Sequence, residues 1–164
     1  MAAILKAKRG RDVVELPPGR YPVILEPPAV AGLWAWLLWS LDAKSYEKGT
    51  SPVANKLGKQ IVDGRLTLEN QPGHADLLGV GFTQEGLPSE PSVWIEHGQL
   101  RQLAYDRFTA HTRGVKTIPT LDAPVLSLAG AASGSVQDLI KRSDRAVLVS
   151  NFWYIRPVNQ TDLT

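Results

Sequence analysis

The fold is decided by the stretch from Ser92 to Leu103, SVWIEHGQLRQL, in which two β-prone segments flank a His-Gly pair. Glycine adopts the positive φ that a two-residue hairpin turn requires. The sequence therefore predicts a β-hairpin with its turn at His97-Gly98. Two more β-prone runs, residues 65–69 before it and residues 124–128 after it, predict strands that extend the same sheet.

The rest of the chain mixes short strands and helices. Residues 12–16 and 21–25 predict a strand pair around Pro17-Pro18-Gly19, and residues 145–155 predict a closing strand. Helical patterns cover residues 27–41, more weakly 53–62, then 105–113 ended by Gly114, and 136–142 behind Ser135 as N-cap. Because helices and strands do not alternate regularly, we expect an α+β fold with a mainly antiparallel sheet.

Residues 70–91 form the longest irregular stretch. They contain three prolines and four glycines, which are too many breakers for a helix or strand. A loop of this length in a compact domain usually has a functional or interface role. We therefore expect it to contribute to binding.

The composition excludes several function classes. The chain has 164 residues, 18 Lys and Arg, 16 Asp and Glu, and no cysteine. The length predicts one domain over residues 1–164, with residues 1–11 as a loosely ordered basic arm. The near-neutral charge argues against nucleic-acid binding, and cysteine is not available for a disulfide or a thiolate zinc site. The N-terminus does not resemble a secretory signal and no apolar run spans a bilayer, so we expect a cytoplasmic protein that binds no membrane.

The three histidines, His74, His97 and His111, are too far apart in sequence to place two imidazoles on one helical face. We expect no bound metal and no cofactor. One alternative remains open, in which His74 and Glu85 on the long loop form an unrecognised peptidase site.

The helix predicted over residues 27–41 is apolar on nearly all sides. Trp34, Trp36 and Trp39 lie within six residues of one another. A helix of this kind must be covered by its own domain or by a partner. The tryptophans favour core or subunit contacts, with an apolar ligand or peptide as the alternative.

Three stretches carry a family pattern through their order and spacing. They are Lys48-Gly49-Thr50-Ser51 leading into residues 56–61, then residues 84–88 followed by 93–100 and 105–110, and finally Ser150-Asn151-Phe152-Trp153-Tyr154-Ile155-Arg156. Together they resemble the C-terminal domain of the TldD/PmbA proteins. These proteins are called modulators of DNA gyrase and are classed as metallopeptidases or their partner subunits.

The resemblance implies a metal-binding helix with the motif His-Glu-x-x-x-His just before the Gly-Thr-Ser segment, and a later cysteine. In this sequence the histidine positions hold Trp34 and Trp39, and the glutamate position holds Ala35. An indole offers no in-plane lone pair to zinc, and a methyl group cannot act as a general base. The resemblance therefore implies a PmbA-like member without the metal site.

The sequence thus predicts a non-catalytic TldD/PmbA-type subunit or fragment within a metallopeptidase assembly that processes peptides. The expected partner is a second copy or a catalytic TldD-like subunit. The alternative is a standalone module that holds an extended peptide by strand addition at the hairpin and the tryptophan surface. Candidate peptide or partner contacts are Trp36, Glu85, Trp94, Trp153 and Arg156.

Overall fold

The computed structural model describes residues 2–79, 81–131, 134–159 and 161–162. Within them the helices are α1 (Ala2–Arg9), α2 (Pro27–Trp39), α3 (Ala43–Glu47), α4 (Arg107–Arg113) and α5 (Val136–Lys141). The strands are β1 (Val23–Leu25), β2 (Leu66–Asn70), β3 (Ser92–Glu96), β4 (Gln99–Leu100), β5 (Pro124–Leu128) and β6 (Val147–Val149). None of the helices in these ranges combines the length and apolarity needed to cross a bilayer.

Four strands form an antiparallel sheet in the order β4-β3-β2-β5. Leu68 in the central strand β2 lies opposite Ile95 on one side and Leu126 on the other. β1 and β6 form a separate parallel pair. The predicted α+β class with a mainly antiparallel sheet is confirmed.

The predicted hairpin joins β3 to β4. His97 and Gly98 both adopt positive φ, 47° and 78°, as the tight turn requires. A Cβ atom at Gly98 would lie 2.5 Å from the carbonyl oxygen of Val62, so only glycine fits. β4 is shorter than predicted, since it ends at Leu100.

The outer side of β4 is covered by residues 58–61. The Leu100 amide donates to the carbonyl of Lys59, and the Gly58 amide donates to the carbonyl of Leu100 at 2.7 Å. The weak helix predicted over residues 53–62 is therefore wrong. Gly58 has φ 76°, and the segment instead follows the edge of the hairpin.

Helix α2 begins as predicted, with prolines in its first turn where no N–H is needed. The Glu26 amide before it donates to the Val149 carbonyl, which ties the helix start to β6. Leu37, Leu38 and Trp34 pack against the main core. That core comprises Leu41, Ala43, Val53, Leu68, Trp94, Ile95, Leu100, Leu103 and Ala104.

Two other predictions differ from the structure. Residues 12–16 form no strand, and Val13 and Val14 are exposed, because β1 pairs with β6 instead. The closing strand stops at Val149, so residues 152–155 are irregular. Part of the expected N-terminal arm forms α1, in which Lys6 makes an ion pair with Glu26.

Candidate functional site

A cleft lies between α2, the sheet and residues 117–121. It consists of three neighbouring cavities of about 400, 220 and 350 Å³, called here the first, second and third cavities. Thr120 lines all three, and each adjoining pair shares further residues. The combined volume is in the range of pockets that bind small molecules or short peptide segments.

The first cavity is mainly apolar. Ala35, Leu38 and Trp39 line it from α2, and Trp94 and Leu121 line it from the opposite side. The Trp39 side chain is 69% exposed, whereas Trp94 is 1% exposed and lies in the core. Trp39 is therefore the large aromatic surface that a bound molecule would cover.

The second cavity is acidic. Asp42, Glu85 and Asp106 line it together with one cation, Lys44. Asp42 and Asp106 are the N-caps of α3 and α4, and each accepts a backbone N–H bond three residues on. The amide of Thr109, its hydroxyl and nearby Lys44 lower the pKa of Asp106, so this carboxylate stays ionised.

Glu85 reaches the second cavity because the long loop folds locally. The Thr83 amide donates to the Leu87 carbonyl, and the Gly86 amide donates back to Thr83. Gly86 has φ 70°, which the turn requires. The predicted irregular loop is confirmed. Glu85 lies at the tip of the turn formed by residues 83–87.

Asn70 holds the third cavity together. This residue is 5% exposed, and its Oδ1 accepts from the amides of Ala123 (2.9 Å) and Asp122 (3.2 Å). Its Nδ2 donates to the Glu90 carbonyl (3.0 Å) and to Ser89 Oγ (3.2 Å). The long loop is thereby joined to the start of β5.

The structure separates the three residues at which the resemblance implies the metal motif. Ala35 and Trp39 line the first cavity, one turn apart, whereas Trp34 packs against the core. Among the other predicted contacts, Trp36 stacks edge-on against Trp39 with ring centroids 5.1 Å apart. Glu85 and Trp94 line the cleft, as described.

Trp153 and Arg156 lie outside the three cavities. Trp153 is 93% exposed, and the Arg156 guanidinium lies 4.3 Å from the centre of the Tyr154 ring. Ile155 from the same segment contacts α2 at Gly32, where a Cβ would lie 3.5 Å from its Cδ1. This C-terminal segment therefore packs beside α2 and leaves Trp153 outside.

Sequence reasoning missed Asp42 and Thr120 in the cleft, and it interpreted Asp106 as a structural residue and not as a site residue. Asp42 and Asp106 carried a readable signal, since each precedes a helical pattern at the N-cap position. Thr120 carried none, because it comes from an irregular segment.

The histidines do not converge. His97 forms the hairpin turn, His111 lies on α4, and His74 Nδ1 accepts from the Asp76 amide. His74 lines none of the three cavities, so it does not meet Glu85 there. In the described part of the chain no three His, Asp or Glu side chains are arranged so that they could hold a metal ion.

Comparison with known proteins places this chain in a family. Residues 18–164 match the family model described as the PmbA/TldA metallopeptidase C-terminal domain. The chain belongs to the PmbA/TldD family. The resemblance read from the Gly-Thr-Ser segment, the hairpin and the C-terminal aromatic segment is confirmed.

A Metalloprotease TldD homolog from Buchnera aphidicola is 28% identical over 154 residues, which cover 82% of this chain and 30% of that protein. TldE from Thermococcus kodakarensis is 26% identical with a TM-score of 0.73, covering 92% of this chain and 37% of TldE. A Bacteroides thetaiotaomicron protein described as a putative modulator of DNA gyrase gives a TM-score of 0.78 at 21% identity. The match covers 98% of this chain and 36% of that protein, and at this identity it supports the fold alone. The chain spans about a third of the length of these relatives.

The metallopeptidase description implies a metal, and the residues of the cleft do not fit one. The two positions at which the resemblance implies histidine ligands hold indoles, Trp34 and Trp39, and the position at which it implies a general base holds the methyl group of Ala35. Of the cleft carboxylates, Asp42 and Asp106 already accept backbone N–H bonds as helix caps. A hydrolytic metal site needs three protein ligands held at close range, and this donor set does not supply them.

Proposed function

We propose that this chain is a catalytically silent member of the PmbA/TldD family that holds an extended peptide in its cleft. The observation that carries the proposal is the first cavity, where Ala35 and Trp39 stand at two positions of the lost metal motif. Its lining offers mostly apolar contact, and Asp42 is the one carboxylate in it, which is too few donors for a hydrolytic metal site. Such a surface binds and positions a chain without cleaving it.

The proposal includes a partner. A silent subunit would act in proteolysis by joining a catalytic one, and this chain is similar both to a protein named a metalloprotease TldD homolog and to TldE. We propose either a second copy of this chain or a metal-bearing TldD-like subunit as the partner. The cleft would then guide an unfolded peptide towards the partner's active site.

The silent-subunit proposal is tested by elemental analysis of the purified protein and a peptide hydrolysis assay with and without chelator. We expect no stoichiometric zinc and no cleavage. Mixing with a catalytic TldD-like protein should give a larger particle in light scattering. Zinc at one equivalent together with chelator-sensitive cleavage would overturn the proposal.

Peptide binding is tested separately through Trp39. Titration with an unfolded peptide should change the intrinsic tryptophan fluorescence, and Trp39→Ala should weaken binding about tenfold, since a buried aromatic contact is worth roughly 1–2 kcal/mol. Trp153→Ala is the matched control, because Trp153 is even more exposed but lies outside the cavities. Equal losses in both variants would place the peptide elsewhere.

The second candidate is the standalone peptide-binding module. The cleft favours it equally, but strand addition at the hairpin does not fit, since residues 58–61 already pair with the outer side of β4. This candidate differs in one measurable respect: peptide binding would persist while no complex forms with a catalytic homologue or with a second copy.

A further inference from the structure

The outer edge of β5 is an unpaired sheet edge. β5 is the last strand in the order β4-β3-β2-β5, and in the described residues it pairs only with β2. Natural sheets usually block such edges with charged side chains, bulges or very short strands. β5 has five residues, none charged, and its one proline, Pro124, stands at the first position.

The pairing with β2 fixes which backbone groups point outward. Ala123 and Ala129 flank β5, and both bond to the β2 side. Hydrogen-bonded and non-hydrogen-bonded residue pairs alternate along an antiparallel ladder. The backbone N–H and C=O groups of Val125 and Ser127 therefore also point towards β2. Pro124, Leu126 and Leu128 therefore direct their backbone groups to the free edge.

These outward groups are self-complementary. In a two-fold antiparallel pairing centred on Leu126, each Leu126 amide donates to the Leu126 carbonyl of the other copy. Each Leu128 amide donates to the Pro124 carbonyl of the other copy. The missing N–H of Pro124 faces the Leu128 carbonyl, and that carbonyl already accepts from the Ala131 amide within its own chain.

We propose that β5 pairs with β5 of a second copy, joining two four-stranded sheets into one eight-stranded sheet. The one backbone donor that the edge lacks is opposite the one acceptor that is already engaged, so no outward group is left without a partner. A charged residue is absent from the paired strand, so like charges do not meet across the two-fold axis. The inference rests on the self-pairing part of the proposed function and assigns a surface to it.

The pairing is expected to be weak in isolation. Stable interfaces bury roughly 1,200–2,000 Å² in total, and two five-residue strands bury less than that. We therefore expect concentration-dependent self-association of the 164-residue chain, measured by sedimentation equilibrium up to about 1 mM protein.

The test uses Leu128→Pro. Leu128 is 44% exposed, and its amide points to the free edge, so proline removes two of the four intermolecular bonds without breaking the β2–β5 ladder. We expect the dissociation constant to rise about 25-fold, which corresponds to about 2 kcal/mol. Leu128→Ala is the control, because it removes the same side chain and keeps the amide. Circular dichroism checks that both variants stay folded.

The outcomes separate the two proposals. Self-association that is weakened by Leu128→Pro and not by Leu128→Ala supports β5 pairing. Self-association that is equal in all three proteins overturns the β5 assignment and leaves self-pairing in place. A chain that remains monomeric up to the highest concentration overturns both this inference and self-pairing, whereas complex formation with a catalytic homologue would still support a silent subunit.

Discussion

Asn70 is the side chain whose loss should most clearly disrupt the cleft. Its amide makes four hydrogen bonds, which join the long loop at Ser89 and Glu90 to the start of β5 at Asp122 and Ala123. Each net bond contributes about 0.5–1.5 kcal/mol, and a buried donor left without a partner costs roughly 1–3 kcal/mol. Water reaches exposed Glu90 and Asp122, but it does not reach Ala123, which is buried.

We therefore expect Asn70→Ala to lower the free energy of unfolding by about 3 kcal/mol. That is a large part of the 5–15 kcal/mol typical of a domain. Urea unfolding followed by circular dichroism measures the change, and hydrogen exchange should show lost protection of the Ala123 amide. The matched control is Asn151→Ala, at an exposed position, which should change stability by less than about 0.5 kcal/mol.

A loss below about 1 kcal/mol in Asn70→Ala would refute the reasoning, because it would mean that the loop and β5 hold their positions without the amide. A large loss with unchanged exchange at Ala123 would also contradict it. In that case the destabilisation would arise away from the contact that motivates the prediction.

Two further predictions concern the turns. Gly98→Ala should lower the free energy of unfolding by at least about 3 kcal/mol, because a Cβ atom would lie 2.5 Å from the Val62 carbonyl oxygen. Gly58 has nearly the same φ but lies in open space, so Gly58→Ala should lower it by only about 1 kcal/mol. Equal losses on thermal unfolding would mean that φ alone matters. The hydrogen-bonded Arg65 guanidinium lowers the pKa of Asp63 from 3.8 to about 2. The stability that this ion pair contributes to the fold is therefore fully present above pH 3.8 and is lost as the pH falls through about 2. In NMR titration, Arg65→Gln should return this pKa towards 3.8, and an unchanged midpoint would exclude the ion pair as its cause.

Elements with strong local signals were predictable from the sequence. The hairpin follows from His97-Gly98, helix α2 from its two leading prolines, and the end of α4 from Gly114 in a left-handed conformation. α5 has the capping box between Ser135 and Asp138. In each case the decisive interaction lies within a few residues along the chain.

The predictions that were wrong concern contacts between residues far apart in sequence. Residues 12–16 have strand-like composition, but a strand needs a partner strand to pair with. Their predicted partner, β1, pairs with β6 instead. Residues 58–61 became an edge cover because Leu100 offered free backbone groups. Composition cannot reveal such pairings, since the partners are far apart in sequence.

The cleft was predictable only in part, for the same reason. Trp39 and Glu85 were identified from composition and family pattern, and both line the cleft. Thr120 and the acidic character of the second cavity depend on how α3, α4 and the long loop meet. These contacts exist only in the folded chain.

The parallel pair of β1 and β6 joins two strands that are synthesised far apart in time. Val23 is made first, and its partner, Val147, is added 124 residues later (147 − 23). At roughly 5–20 residues per second, Val23 waits about 6 to 25 s for that partner. During this interval the apolar surface of α2 is exposed while the segment around Ile155 that packs beside it is still missing, so nascent chains should be good chaperone clients until β6 and that segment emerge.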